Sequence, residues 1–257
     1  MSDWDPESYL RFANERTQPS LDLVSRIRID SPKAIVDIGC GPGNSTQALR
    51  RRWPKSDILG MDYSEAMIAK ARRDFPGERW MVGDAVKFDA KDKYDLVFSN
   101  AALQWIPRHE ELLPRLAGGV RSGGAFAAQI PMFKSMPINA AIETVAGRSE
   151  WRARTSRCAE LFTYRDPGFY YGLLSGLMGK VDMWITSYIH VLDSHEALID
   201  FCRSTALKPY FESLPSDEAR ERFEDELLAE TRRRYSLQGD GKLLFPFERL
   251  FLVGYKE

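Results

Sequence analysis

The residues best suited to chemistry lie in a glycine-rich turn and in the acids around it. The segment from Ile35 to Gly43 is an apolar run that ends in three glycines, and Asp62 and Asp84 each follow a further apolar run. Glycines let the backbone turn sharply and let a ligand approach without meeting a Cβ atom. The helix expected after Gly43 would offer free N–H groups to a negative group of the ligand. The spacing therefore predicts a ligand site where the first strand ends.

Two features of this turn select among ligands. A dinucleotide motif needs Gly or Ala at the position of Asn44. Asp37 precedes the first glycine by two residues, where it would repel a pyrophosphate but would suit a ligand with an amino group and a sulfonium. S-adenosylmethionine (SAM) is such a ligand. Asp62 is then placed to hold the ribose hydroxyls, and Asp84 to accept a hydrogen bond from the adenine amino group.

The predicted cofactor-binding residues share a place at the carboxyl ends of the first four strands. They are Asp37, Gly39, Cys40, Gly41, Asp62, Tyr63, Asp84, Ala85 and Asn100. Tyr63 is expected against the adenine or the ribose. The alternatives are that Asp37 caps a helix, that Asp62 and Asp84 are exposed loop acids, and that Cys40 only fills the turn.

The elements that must position these residues alternate between strand and helix signals. Strands are predicted at 33–38, 57–62, 80–82, 94–98, 123–130, 181–191 and 243–255, the last broken near Pro246; helices are predicted at 43–52, from Ser64, at 110–116, from Ser194 and over 216–235. This alternation is typical of βαβ units and predicts an α/β domain with a parallel sheet. The helix over 216–235 is charged around most of its circumference, so a solvated surface helix is expected.

Several of these segments resemble known methyltransferases. Residues 30–131 resemble class I SAM-dependent methyltransferases. The segments from Met1 to Phe12, Asn100 to Pro107 and Arg249 to Val253 resemble the trans-aconitate 2-methyltransferase family. The resemblance implies a Rossmann-like fold: a seven-stranded, mostly parallel sheet of order 3-2-1-4-5-7-6, with helices on both faces and helical insertions. It implies transfer of the SAM methyl group to a carboxylate of trans-aconitate or a related small polycarboxylic acid.

The resemblance also implies a domain organisation. Residues 1–257 would form one domain, with 1–29 as a helical lid and the insertions 132–179 and 192–240 as a cap over the substrate.

Methylation of a carboxylate makes limited demands on the protein. A carboxylate has a reference pKa near 4 and is already ionised at neutral pH, so no catalytic acid or base and no metal are expected. A polyanion needs cations, and arginine binds carboxylates through two parallel hydrogen bonds. The predicted substrate-binding residues are Tyr9, Arg16, Gln104, Trp105, Arg152 and Arg154. The alternatives are that the arginine-rich insertion is a solvated face and that Trp105 is a core residue.

Composition excludes other classes of protein. The chain has 257 residues with 36 basic and 37 acidic side chains, a net charge of -1, which argues against a nucleic-acid binder. It has no apolar run of the ~20 residues that cross a membrane, and no secretory signal is predicted. Three scattered cysteines favour a reducing, cytoplasmic setting. We expect a monomer or a weak homo-oligomer.

Three rival functions remain open from the sequence. They are a methyltransferase for an amine or a phenol, a NAD-dependent oxidoreductase, and a SAM-binding module without activity.

Overall fold

A computed structural model describes the backbone of residues 13–257 and the side chains of residues 17–257. Its seven-stranded sheet has the order β3-β2-β1-β4-β5-β7-β6, which confirms the predicted topology. The strands are β1 (Ala34–Ile38), β2 (Asp57–Asp62), β3 (Arg79–Val82), β4 (Tyr94–Asn100), β5 (Val120–Pro131), β6 (Lys180–Leu192) and β7 (Leu243–Tyr255). Strands β1 to β5 pair in parallel, and β7 pairs antiparallel with β5.

Helices connect these strands. They are α1 (Ala13–Arg26), α2 (Asn44–Arg52), α3 (Glu65–Asp74), α4 (His109–Gly118), α5 (Pro137–Ala146), α6 (Arg152–Thr155), α7 (Pro167–Ser175), α8 (His195–Arg203), α9 (Lys208–Ser213) and α10 (Asp217–Arg234). Short 3-10 turns cover Ala85–Lys87, Leu103–Trp105, Phe133–Ser135 and Ala159–Leu161. No helix among residues 13–257 is long and apolar enough to cross a membrane.

Local capping signals explain where several helices begin. The side chains of Ser64, Ser194 and Ser216 each accept a hydrogen bond from the backbone N–H three residues later. Such a bond satisfies a donor that has no partner within the helix. All three helix starts were predicted from these serines.

Most residues of helix α10 are exposed or half-buried, as expected of a surface helix, but one narrow face is buried. Ala219, Phe223 and Leu227 recur every four residues and form a buried stripe. Glu230 continues the stripe and is also buried, with Arg148, Arg233 and Arg234 all in salt-bridge distance of its carboxylate. This narrow apolar face is hard to recognise in the sequence because three arginines surround the buried Glu230.

The last strand is continuous, so the expected break near Pro246 was wrong. The register of β7 with β5 begins at Arg249, three residues after Pro246. The missing N–H of this proline therefore removes no hydrogen bond to β5.

The chain divides into two compact units by its internal contacts. The sheet unit contains residues 13–131, 163–186 and 249–257, and the helical unit contains 132–162 and 187–248. In the sheet unit, Ile35, Val36 and Phe98 are among the fully buried side chains of the central strands. In the helical unit, Trp151 packs edge-on against Phe223 of α10, with ring centroids 5.6 Å apart.

Candidate active site

The glycine turn after β1 has one crowded glycine and one open glycine. Gly39 and Gly41 both have positive φ angles, of 70° and 54°. A Cβ on Gly39 would lie 2.2 Å from the Cβ of Ala102, whereas a Cβ on Gly41 would meet nothing within 4 Å. Gly39 therefore lets the end of β4 approach the turn, and Gly41 leaves open space above it.

The Asp37 carboxylate is buried directly beneath this turn. One oxygen, Oδ2, accepts hydrogen bonds from the hydroxyls of Ser45 and Thr46 at 2.6 and 2.7 Å. The other, Oδ1, is buried and accepts no hydrogen bond from the described residues. Burial raises the pKa of Asp37 to about 6; the two hydroxyls oppose the rise, and the charge of Asp62 adds to it. A buried acid of this kind is stabilised as an anion by a cationic neighbour.

Asp62 fixes the turn and the start of α3 together. Its Oδ2 accepts a hydrogen bond from the Gly41 N–H at 2.8 Å, and its Oδ1 accepts one from the Ser64 N–H at 2.9 Å. Asp62 therefore joins the end of β2 to the glycine turn and to the start of α3 through two backbone hydrogen bonds. The neighbouring Tyr63 side chain is 79% exposed.

The end of β3 is joined to that of β2. The Gly83 N–H donates to the Asp62 carbonyl at 2.9 Å, and Asp84 caps the next turn by accepting from the Val86 N–H. Ala85 is buried. Asp84 is therefore held in one orientation at the end of β3.

Cys40 is a buried thiol whose neighbours keep it protonated. Burial, together with the charges of Asp37 and Asp62, raises the pKa of the Cys40 thiol. A thiol that stays protonated is a poor nucleophile. We therefore expect Cys40 to contact a ligand through its backbone and not through its thiol.

The end of β4 carries backbone strain and two buried amides. Ala101 has a φ of 54°, a conformation that is costly for a residue with a side chain and that clusters at functional sites. Asn100 Oδ1 and Gln104 Oε1 are buried without a hydrogen-bond partner among the described residues. Gln104 Nε2 donates to the Ala101 carbonyl at 2.6 Å. Trp105, half-buried, follows in the same 3-10 turn.

His109, which the sequence analysis did not place in the site, holds this turn from below. Its Nε2 lies 2.8 Å from the Leu103 carbonyl, which only accepts, so Nε2 carries the proton. Its Nδ1 then accepts from the Tyr170 hydroxyl at 2.8 Å. Burial lowers the pKa of His109, which favours the neutral ring. His109 therefore positions the turn through the hydrogen bond that its Nε2–H donates to the Leu103 carbonyl.

Gln129 and Arg249 form a buried polar pair on β5 and β7. Arg249 is 4% exposed, and its Nη1 donates to Gln129 Oε1 at 3.2 Å. Among the side chains of residues 17–257, it is the one arginine that is buried. Sequence reasoning missed this pair, although a single arginine inside an apolar final strand was a usable signal.

The remaining predicted residues lie outside the described side chains or in the helical unit. Tyr9 lies outside the described residues, as does the side chain of Arg16. Arg152 and Arg154 are exposed on α6 of the helical unit. Among the described residues there is no group of three or more His, Cys, Asp or Glu side chains able to hold a metal ion.

Comparisons with known proteins find a matching domain and similar folds. Residues 35–124 match the family model of a methyltransferase domain. The YcgJ protein from Bacillus subtilis has a similar fold, with a TM-score of 0.60 at 15% identity over 93% of this chain and 99% of that one. The structure of phosphoethanolamine N-methyltransferase 2 from Haemonchus contortus, in complex with SAM, is also similar, with a TM-score of 0.58 at 15% identity over 93% of this chain and 53% of that one.

Two curated relatives match over the full length. A trans-aconitate 2-methyltransferase of Methylobacterium nodulans is 41% identical over 255 residues, 98% of each chain. One of Rhodopseudomonas palustris is 38% identical over 260 residues, 100% of each chain.

Strand order, glycine turn and domain match together give this chain the fold and domain of class I SAM-dependent methyltransferases. The buried, unpartnered Asp37 oxygen and the open space over Gly41 fit the positively charged SAM. On the full-length identities, the chain belongs to the trans-aconitate 2-methyltransferase family, as its motifs predicted.

Proposed function

We propose that this chain transfers a methyl group from SAM to a carboxylate of trans-aconitate, giving a monomethyl ester and S-adenosylhomocysteine (SAH). The observation that carries the proposal is the identity of 41% with a curated trans-aconitate 2-methyltransferase over 98% of both chains. A cofactor turn lined by Asp37 and Asp62 supports it independently, because these acids suit a cationic methyl donor.

The reaction needs alignment and needs no proton transfer. SAM supplies a methyl group already activated by its sulfonium. A carboxylate oxygen attacks the methyl carbon, the new C–O bond forms as the C–S bond breaks, and the electron pair of that bond stays on sulfur. Holding the two reactants in line can lower a barrier by roughly 7–11 kcal/mol. Neutral His109 and the protonated thiol of Cys40 fit a site that works by positioning.

The proposed cofactor contacts follow from the strand ends. Asp37 and the backbone of Gly39, Cys40 and Gly41 would face the methionine part, with Asn100 beside it. Asp62 would hold the ribose hydroxyls. Tyr63, Asp84 and Ala85 would surround the adenine. Support comes from the buried Asp37 oxygen, which has no partner among the described residues, and from the exposed ring of Tyr63.

Several residues and segments are proposed to bind or cover the acceptor. Gln104 and Trp105 follow β4 and would lie near the transferred methyl group. Tyr9, Arg16, Arg152 and Arg154 are proposed carboxylate contacts. The segment 1–29 as a lid and the insertions 132–179 and 192–240 as a substrate cap belong to the same proposal. Limited proteolysis with and without SAH, and alanine substitution of each arginine, test these parts.

A methyl-transfer assay with labelled SAM tests the function. The acceptors are trans-aconitate, other di- and tricarboxylates, an amine and a phenol, and the product is analysed by mass spectrometry. We expect a single methyl on trans-aconitate and the highest kcat/KM for that acid. Methylation of the amine or the phenol in preference to every acid would contradict the proposal, and tight nicotinamide dinucleotide binding would replace it with an oxidoreductase.

We also propose a cytoplasmic monomer or weak homo-oligomer that acts on a small molecule and on no nucleic acid. All three cysteines are free thiols, as in proteins of reducing compartments. Light scattering at working concentration measures the oligomeric state.

A further inference from the structure

Polar side chains form a row across one face of the sheet unit. Asp37 of β1 is in register with Phe98 of β4, and Asn100 stands two residues further along β4. Asn100 is in register with Gln129 of β5. Since side chains alternate along a strand and partners in register share a face, Asp37, Asn100 and Gln129 point to the same side.

The row continues onto the antiparallel strand. Gln129 is in register with Phe251 of β7, and Arg249 stands two residues from Phe251. Arg249 therefore lies on the same face, which its hydrogen bond to Gln129 requires.

Charge is ordered along this row. The acids Asp37 and Asp62 stand on β1 and β2, where the cationic methyl donor is proposed to bind. Neutral amides follow on β4 and β5, and the cation of Arg249 is on β7. A donor of positive charge and an acceptor of negative charge would each find the opposite sign at its own end. Buried charges are stabilised by such pairing.

The side chain of Gln129 supplies a hydrogen-bond donor that suits an anion. Its Oε1 accepts from Arg249, so its amide nitrogen is the group left to bind elsewhere. That nitrogen is fully buried and has no hydrogen-bond partner among the described residues. A buried donor without a partner is costly, and a carboxylate oxygen would satisfy it.

We propose that Arg249 and Gln129 together bind a carboxylate of the acid acceptor. The inference rests on the proposed function and identifies the cation that the sequence analysis sought in the arginine-rich insertion. The Arg249 guanidinium supplies the charge, and the Gln129 amide nitrogen supplies the second donor. Both are substrate-binding groups and neither takes part in bond making.

Two substitutions test the pair from opposite sides. Arg249→Met removes the cation and keeps the length of the side chain. Gln129→Glu keeps the shape of the amide and sets an internal carboxylate against Arg249, in competition with the acid acceptor. The matched controls are Arg115→Met, on the exposed face of α4, and Gln238→Glu, in an exposed turn.

We expect both site variants to raise the KM for trans-aconitate by about tenfold or more, because hydrogen bonds between charged groups are among the strongest. SAH affinity, measured by calorimetry, should stay within about twofold of the wild type in variants that fold, since the pair stands at the other end of the row. Both controls should match the wild type in KM.

The outcomes separate the two proposals. If the wild type methylates trans-aconitate while Gln129→Glu keeps the wild-type KM and binds SAH, the binding pair is refuted and the proposed function stands. Should Arg249→Met lose SAH binding through misfolding, the isosteric Gln129→Glu variant decides. If the wild type methylates no carboxylic acid, the proposed function fails and the pair fails with it.

Discussion

At the scale of single residues, two carboxylates in the cofactor turn do different work. Asp62 accepts two backbone N–H groups and so builds the turn, whereas Asp37 is buried beneath it with one oxygen unused. Burial of Asp37 costs stability, because an anion is withdrawn from water. Such a cost is tolerated where a charged ligand requires it.

Replacing Asp62 should affect both binding and stability. In Asp62→Ala, Gly41 and Ser64 lose an acceptor for their N–H groups, so we expect the free energy of unfolding to fall by about 1–2 kcal/mol and SAH affinity to fall about tenfold or more. Denaturant unfolding and calorimetry measure the two effects. The control is Asp57→Ala, at the opposite end of β2, where an exposed ion pair with Arg79 contributes little. Unchanged SAH affinity in Asp62→Ala would remove Asp62 from the site.

Replacing Asp37 by its neutral isostere should separate stability from binding. The folded-state pKa of Asp37, about 6, lies above the unfolded value of 3.8. Its contribution to stability is therefore present at low pH and is lost as the pH rises through about 6. Asp37→Asn should stabilise the ligand-free protein by roughly 1–3 kcal/mol at about pH 8, and by less at about pH 5.

The same variant should bind SAM more weakly at about pH 8, because it lacks the anion. Thermal unfolding at the two pH values and calorimetry with SAM measure these effects. A variant that is less stable than the wild type at the higher pH would contradict the assignment.

At the scale of elements, the turn between β1 and α2 combines a glycine packed against a neighbouring side chain with a glycine that is proposed to face the ligand. Gly39 is pressed against Ala102, while Gly41 faces open space. The two glycines share a positive φ and differ only in what lies above them.

Alanine at Gly41 should mainly weaken SAH binding, whereas alanine at Gly39 should mainly lower stability. Gly41→Ala should cost only about 1–2 kcal/mol of stability, the cost of the left-handed conformation, but should weaken SAH binding by filling the open space. Gly39→Ala should cost more stability, because its Cβ overlaps that of Ala102. Thermal unfolding and SAH titration measure both, with Gly239→Ala, in open space without positive φ, as the control. Tight SAH binding by Gly41→Ala would show that the ligand does not approach there.

How much the sequence revealed depends on how local each signal is. The strand order followed from the family resemblance, whereas the helix starts at Ser64 and Ser216 followed from a local signal, a serine that accepts from the N–H three residues later. The burial of Glu230 on α10 could not be predicted because one of its cationic partners, Arg148, is 82 positions away. Arg249, which we propose as a substrate-binding residue, was not predicted because its partner Gln129 is 120 positions away and only the sheet register brings them together.

At the scale of the whole molecule, a net charge of -1 hides a separation of charge. Acids stand on β1 and β2 of the sheet unit, and a buried arginine stands on β7. The proposed binding of a cationic methyl donor and an anionic acceptor on one sheet follows this separation of charge.

This separation predicts a pH profile in two parts. The acceptor is a carboxylate with a reference pKa near 4, so kcat should stay flat between about pH 6.5 and 8.5. In contrast, kcat/KM for SAM should fall below about pH 6, where ligand-free Asp37 takes up a proton. Steady-state kinetics at saturating and at limiting SAM measure the two parts. A kcat that rises steeply through neutrality, with chemistry rate-limiting, would indicate a general base.

Tracing the methyl group from SAM to the product tests the proposed methyl transfer directly. The protein is incubated with SAM carrying an isotopically labelled methyl group and with trans-aconitate, and the product is examined by NMR. We predict one labelled methyl ester, coupled to a single carboxyl carbon, with SAH formed in equal amount. A label found on nitrogen, on carbon or on a hydroxyl, or SAH formed without any ester, would contradict it.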